Sequence, residues 1–300
     1  MQIQLNDVSF TYAKKKKRAA SSAAPASSAP SVLHHINLMI QSGEMLAIAG
    51  KSGSGKSTFL QLLKGFLAPT AGQIVLDGID PNASRRPDLF DQIGYIFQYP
   101  EHQLFSPTVF DDIAFGLQSA KLPPEIKEQK VRKAMGAVGL DYDEFKERSP
   151  FELSGGEKRR VAIAGVVVLE PKVLILDEPT AGLDLQARTA LFELLHQMNE
   201  QQGLTILWVS HQLDEIVNHA SRILALKNGE FIADGPPASI LSDSAFLEAF
   251  GWEEPSALVV SRLLKERRVI SDSACRLSPE EAADAIAAAL QLRQHQTTVK

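Results

Sequence analysis

The apolar positions of this chain change period as it proceeds, and each change marks an element. Ile3, Leu5, Val8 and Phe10 alternate with a slip between Leu5 and Val8, which predicts an edge strand with a kink leading to Tyr12. Val32 to Ile40 predicts a second strand, so residues 13–31 read as an insertion in a strand–strand loop. From Ala19 to Ser31 every residue is Ala, Ser or Pro, a composition with nothing to bury in a core. Met45 to Ala49 is a continuous apolar run, read as a buried strand, with a helix following from Thr58 to Lys64. Ile74 to Leu76 ends in an Asp77-Gly78 turn, and Ile93 to Phe97 forms another strand. Helical patterns dominate from Ser106 to about Arg148, broken at Pro123-Pro124 and Gly139. Val173 to Leu176, Thr205 to Ser210 and Ile223 to Lys227 predict three more strands, with a helix from Gln186 to about Gln201 among them. Strands alternating with helices predict an α/β fold with a mostly parallel sheet. Near the end, Ser278-Pro279-Glu280-Glu281 is a capping box that opens an Ala-rich helix to about Arg293.

The chemistry concentrates where strands end. Gly50, Lys51, Ser52, Gly53, Ser54, Gly55, Lys56, Ser57 and Thr58 match G-x-x-x-x-G-K-[ST], between a buried strand and a helix as that pattern requires. Glycines let the backbone turn tightly and bring N–H groups to phosphate oxygens. Lys56 supplies a cation for the β- and γ-phosphates of a nucleoside triphosphate, and the Ser57 hydroxyl can ligate Mg²⁺. Alone, this loop leaves kinases, GTPases, motors and transporters open. Val173 to Leu176 then delivers Asp177 and Glu178 at a strand's carboxyl end, the first suited to the Mg²⁺ shell and the second to polarising a water. Ser154, Gly155 and Gly156 open a helix whose N–H groups and dipole favour a second phosphate contact.

With these residues in order, about residues 2–250 resemble the ATP-binding cassette (ABC) ATPases. The resemblance implies a RecA-like P-loop core with an antiparallel β subdomain, a helical signature subdomain over 99–153 and a helical extension over 251–300. Tyr12 stands where that family stacks adenine, and Gln98 where its glutamine senses Mg²⁺ and the γ-phosphate. Ser154 to Glu157 match the signature motif, Ala181-Gly182-Leu183-Asp184 the loop joining two sites, and His211 the switch histidine. ATP in that family lies between the phosphate loop of one subunit and the signature of another. Glu178 would then orient or deprotonate the water, and His211 would hold it in line with the γ-phosphate.

A closer resemblance, to the energy-coupling factor (ECF) transporter ATPases and their second paralogue in particular, lies in Phe97-Gln98-Tyr99-Pro100-Glu101-His102-Gln103-Leu104-Phe105 and continues through Gly116. It implies a paralogous ATPase partner (or a homodimer), a transmembrane coupling protein and a substrate-capturing membrane protein. It also implies a peripheral position on the cytoplasmic face of the cell membrane, and uptake of vitamins or transition-metal ions. The segment from Gln98 to Phe105 and the helical subdomain would dock the coupling protein, with Glu101, Asp111 and Asp112 offered to basic residues there. Arg159 and Arg160 read as a solvated or interface face of the signature helix. The terminal helix would help subunits associate, or simply cover its own domain.

Composition narrows the alternatives. Of 300 residues 44% are hydrophobic, enough for a large core, and no stretch approaches the roughly 20 apolar residues of a membrane span. The first residues lack the basic and apolar regions of a signal peptide, and Cys275, the one cysteine, suits a reducing cytosol. Lys14 to Arg18 place five cations against Asp7 near the start, so the rest must carry −9 to give the net −5. An acidic chain with so short a basic cluster is a poor nucleic-acid binder, and the cluster reads as a solvated loop or a contact to anionic lipid. His34, His35, His102, His196, His219 and His295 share no ligand spacing on one element. A soluble ABC ATPase acting on DNA or ribosomes is the competing function; those carry long coiled coils or paired cassettes, and this chain has neither pattern. A nucleotide sensor without turnover is a third reading, opposed by the presence of Glu178.

Overall fold

Every residue from Met45 to Ala49 is buried, as a strand covered on both faces must be. The structure, a computed structural model, describes residues 1–12, 31–269, 283–284 and 286–288. Residues 13–30 of the expected insertion, and most of the helix expected over 278–293, lie outside the described residues.

In chain order the elements begin with β1 (Ile3–Thr11), β2 (Ser31–Ile40), β3 (Met45–Ala49), α1 (Lys56–Lys64), β4 (Ala71–Leu76) and β5 (Ile93–Ile96). Four helices follow: α2 (Val109–Phe115), α3 (Pro124–Ala137), α4 (Tyr142–Phe145) and α5 (Gly155–Val167). The chain then returns as β6 (Val173–Asp177), α6 (Leu185–Gln202), β7 (Thr205–Val209), α7 (Leu213–His219), β8 (Arg222–Lys227) and β9 (Glu230–Gly235). It continues through α8 (Pro237–Ile240), α9 (Ser244–Phe250) and α10 (Ser256–Glu266).

The strands form two sheets. One has six strands in the order β5-β6-β7-β3-β8-β9, with only the β8–β9 pair antiparallel. The other is antiparallel, in the order β2-β1-β4. Thus β1 lies in the middle of its sheet, paired on both sides, and the expectation of an edge strand is corrected: β4 supplies the second neighbour from 60 residues downstream. The expected kink is present, as register shifts around Asp7, whose φ is +51°.

Side-chain alternation along the large sheet explains why two layers close on it. Leu46, Ile48, Ile175, Leu207 and Leu224 face a core shared with α1 (Phe59, Leu60, Leu62, Leu63) and the small sheet (Ile3, Leu5, Ile36, Ile40). Ala47, Leu174, Leu176, Ile206 and Trp208 face the opposite core, with Val161 and Ile163 of α5 and Leu191 and Leu195 of α6. Each such buried aliphatic contributes roughly 1.5–3 kcal/mol relative to exposure. The consequence for function is geometric. Ile96 pairs with Leu176, Asp177 with Val209 and Ile48 with Val209, so the carboxyl ends of β5, β6, β7 and β3 lie at one edge, where open α/β sheets bind ligands.

Candidate active site

At the end of β3 the chain turns through Gly50 to Gly55 and enters α1 at Lys56, two residues earlier than its pattern predicted. Gly55 precedes the helix at φ +110°, a conformation that glycine adopts without a Cβ penalty. A Cβ on Gly50 would lie 2.4 Å from the Leu226 carbonyl oxygen and 2.8 Å from Ser54 Oγ, so the loop closes on itself only without one. Lys56 folds back into this loop, donating to the Gly50 carbonyl at 2.8 Å and the Lys51 carbonyl at 3.1 Å. Burial lowers its pKa, while Glu178 and Asp177 pull it up. Ser54 Oγ, in the same loop, is buried with no hydrogen-bond partner, an orphaned polar atom on the side of Gly50 that a Cβ would fill.

The end of β6 places Asp177 and Glu178 next to this loop. Burial raises the pKa of Asp177, opposed by hydrogen bonds from the Tyr95 and Ser57 hydroxyls. Tyr95 on the neighbouring β5 donates to Asp177 Oδ2 at 3.2 Å, and burial raises its own pKa. Ser57, Asp177 and Gln98 present hydroxyl, carboxylate and amide oxygens, a donor set that fits a hard divalent cation such as Mg²⁺.

Glu178 is the meeting point. Gln98 Nε2, just past β5, donates to Glu178 Oε2 at 2.9 Å, and His211 Nε2, just past β7, donates to Glu178 Oε1 at 2.8 Å. That bond puts the imidazole proton on Nε2. Glu178 holds φ +51°, a left-handed backbone that costs a non-glycine residue on the order of 1 kcal/mol and aims its carboxylate out of the strand. Three expected residues, on three strand ends, therefore form one constellation.

Tyr12 stands at the rim, its ring half-exposed against Phe10 and its hydroxyl 3.2 Å from Thr58 Oγ1 of α1. The signature residues lie apart. Ser154 caps α5: it accepts from the Glu157 N–H, and its own N–H and hydroxyl donate to Glu157 Oε2 at 2.8 and 2.7 Å. Gly155 and Gly156 are exposed. Asp184 caps α6 by accepting from the Ala187 N–H at 2.8 Å. The side-chain hydrogen bonds of Ser154 and Asp184 stay at the starts of their own helices.

Two expectations are corrected here. Arg159 is buried, not solvated: it forms a fork with Glu101 at 3.0 and 3.1 Å and donates to the Pro179 and Ala181 carbonyls. The phase of α5 carries the signal that was missed, because Arg159, Ile163 and Val167 repeat every four residues on the face that is buried. Glu101 is correspondingly engaged inside the chain rather than offered outward. Asp112 likewise accepts from the Phe105 and Ser106 N–H groups.

Comparison with known proteins sets this site in context. The ABC transporter family model matches residues 33–181. The energy-coupling factor transporter ATP-binding protein EcfA2 of Clostridium perfringens is 42% identical over 237 residues, 78% of this chain and 83% of that one. Among solved structures, cbiO1 of the same organism, described as part of the ABC transporter complex cbiONQ, aligns with a TM-score of 0.71 at 33% identity, covering 89% of this chain and 96% of its own. The ATP-binding cassette MJ0796, solved as a dimer in a post-hydrolysis state with ADP and Pi, aligns at 0.64 with 27% identity over 78% of this chain and 98% of its own.

Proposed function

The chain belongs to the ABC transporter ATPases, among the energy-coupling factor transporter ATP-binding proteins, and on that premise we propose that it energises an ECF-type importer from the cytoplasmic face of the membrane. It hydrolyses ATP for transport. The observation that carries the residue assignment is Glu178, held between Gln98 and His211 beside the Lys56 loop.

In the proposed reaction the N–H groups of residues 50–57 and Lys56 hold the β- and γ-phosphates, and Tyr12 stacks the adenine. Ser57, Asp177 and Gln98 would hold Mg²⁺, which would screen the phosphate charge. Glu178 accepts a proton from the attacking water as its oxygen bonds to the γ-phosphorus and the bond to the β-phosphate oxygen breaks, releasing ADP and phosphate. His211 keeps the water and γ-phosphate in line. Ser154, Gly155 and Gly156 serve a second subunit's nucleotide: they are exposed and their polar bonds stay within α5. Asp184 signals between the two sites. A paralogous ATPase, or a second copy, therefore completes the site, and the membrane coupling and substrate-capturing proteins complete the importer. The cargo is a vitamin or a transition-metal ion, which this subunit does not itself touch.

Among the described residues, no helix is long and apolar enough to cross a membrane, so membrane association in this reading depends on those partners. Reconstitution with the paralogue in liposomes, with and without the coupling protein, tests it. ATP turnover should rise on adding the coupling protein; equal, maximal rates in both would instead favour an ABC ATPase acting outside transport.

A further inference from the structure

Arg159 is the most deeply buried lysine or arginine among the described residues. Its side chain is 4% exposed, and the carboxylate it meets, Glu101, is 19% exposed. The guanidinium forks Glu101 through Nε (3.1 Å) and Nη2 (3.0 Å), while Nη1 donates to the Pro179 carbonyl at 2.8 Å and Nη2 to the Ala181 carbonyl at 3.3 Å. Arg159 and these partners together span three different parts of the site. Arg159 lies on α5, five residues after Ser154; Glu101 follows Gln98 by three; Pro179 and Ala181 follow Glu178 and lead to Asp184.

We propose that Arg159 is a positioning residue for ATP hydrolysis: a joint that holds the Ser154–Gly156 turn, the Gln98 segment and the Glu178–Asp184 turn in one arrangement. The inference rests on the roles proposed above for Gln98, Glu178 and Ser154. A planar fork fixes direction as well as distance, so Glu101 cannot swing without turning the guanidinium. Turning it withdraws the donors from the Pro179 and Ala181 carbonyls, which lie immediately beyond the carboxylate that faces the water. Tyr99 shares the strained geometry, at φ +54°, between Gln98 and the joint. A shift in the Gln98 segment is thus passed to the turn after Glu178 through a single side chain. Lysine, a point charge on a flexible stem, cannot reach the three partners from one nitrogen in the same directions.

Arg159→Lys in the purified complex tests this, with kcat normalised to the fraction of chain that binds ATP. The expected result is an unchanged KM and a kcat lower by about tenfold or more, the scale on which misplacement of catalytic groups acts. Glu101→Gln, which keeps shape and loses the ion pair, should show the same split. The double variant should lose no more than the worse single, because both break one joint. A wild-type kcat in Arg159→Lys, losses that multiply in the double variant, or a raised KM at constant kcat would each overturn the proposal. If Arg159→Lys melts far below the parent, Glu101→Gln carries the test on the same criteria. Glu178→Gln measured alongside separates the two levels. Full hydrolysis by that variant removes the underlying reading of the site, whereas its silence together with a full-rate Arg159→Lys removes only the joint.

Discussion

Gln98 and Glu178 are bonded directly, Nε2 to Oε2 at 2.9 Å, from the ends of two strands that are neighbours in the large sheet. The pairing of Ile96 with Leu176 brings the two chains to the same level, and each then leaves its strand within two residues. With His211 on the other carboxylate oxygen, Glu178 has both oxygens occupied by donors. The carboxylate is thereby oriented.

Glu178→Gln should preserve ATP binding and nearly abolish turnover. The amide retains the shape but not the charge that polarises water, a loss of roughly 10²-fold or more. Its NH₂ also cannot accept from both Gln98 and His211, so one of the two bonds must be lost. Steady-state ATPase rates at saturating ATP decide the matter, and a rate within a few-fold of the parent would take Glu178 out of the mechanism.

Much of this constellation is legible in the sequence, because strand ends announce themselves. An apolar run that stops at Asp-Glu, or at Ser-His, says where the chain emerges from the core, and the parallel sheet gathers those points. What could not be read was pairing between elements of opposite polarity. Arg159 looked like a surface residue since a charge beside Arg160 has no visible partner until Glu101 arrives from 58 residues upstream. The central position of β1 was hidden for the same reason, as its second neighbour β4 is distant in sequence and its first three residues are exposed. β9 alternates only between exposed and half-buried positions, an edge strand with too little apolar contrast to be seen.

Glu170 gives a pH-dependent test away from the site. Hydrogen bonds from Lys130 at 2.5 Å and Lys133 at 2.6 Å hold its pKa down to about 2, from 4.5. A folded-state pKa below the unfolded one stabilises the fold above the unfolded value, and that stability is lost as pH falls through the folded one. The carboxylate is 47% exposed, so solvent screening limits the contribution to about 1 kcal/mol or less. Glu170→Gln should therefore lower the urea midpoint slightly at pH 7, and the gap to the parent should shrink as pH falls from 4.5 toward 2. An undiminished gap at pH 3 would show that the loss is not ionic.

Gly72→Ala should destabilise the small sheet. Gly72 sits at φ +75°, and a Cβ there would lie 2.3 Å from the Asp7 carbonyl oxygen, against backbone that cannot move aside. Strain and clash together should cost at least about 1 kcal/mol, read as a lower denaturation midpoint. An unchanged midpoint would mean that the bulge at Asp7 can relax.

The cap at the start of α5 has a consequence for timing. A serine hydroxyl carries a single proton, and Ser154 spends it on Glu157, which also takes the Ser154 N–H. In the proposed assembly a neighbour's γ-phosphate needs that same proton, so the carboxylate of Glu157 acts as a placeholder that an incoming nucleotide must evict. ADP has no γ-phosphate with which to do so. The lone chain thus keeps this turn in a self-satisfied state. In that proposed assembly, discrimination between a loaded and a spent partner would rest on a contact between residues three apart at the start of one helix.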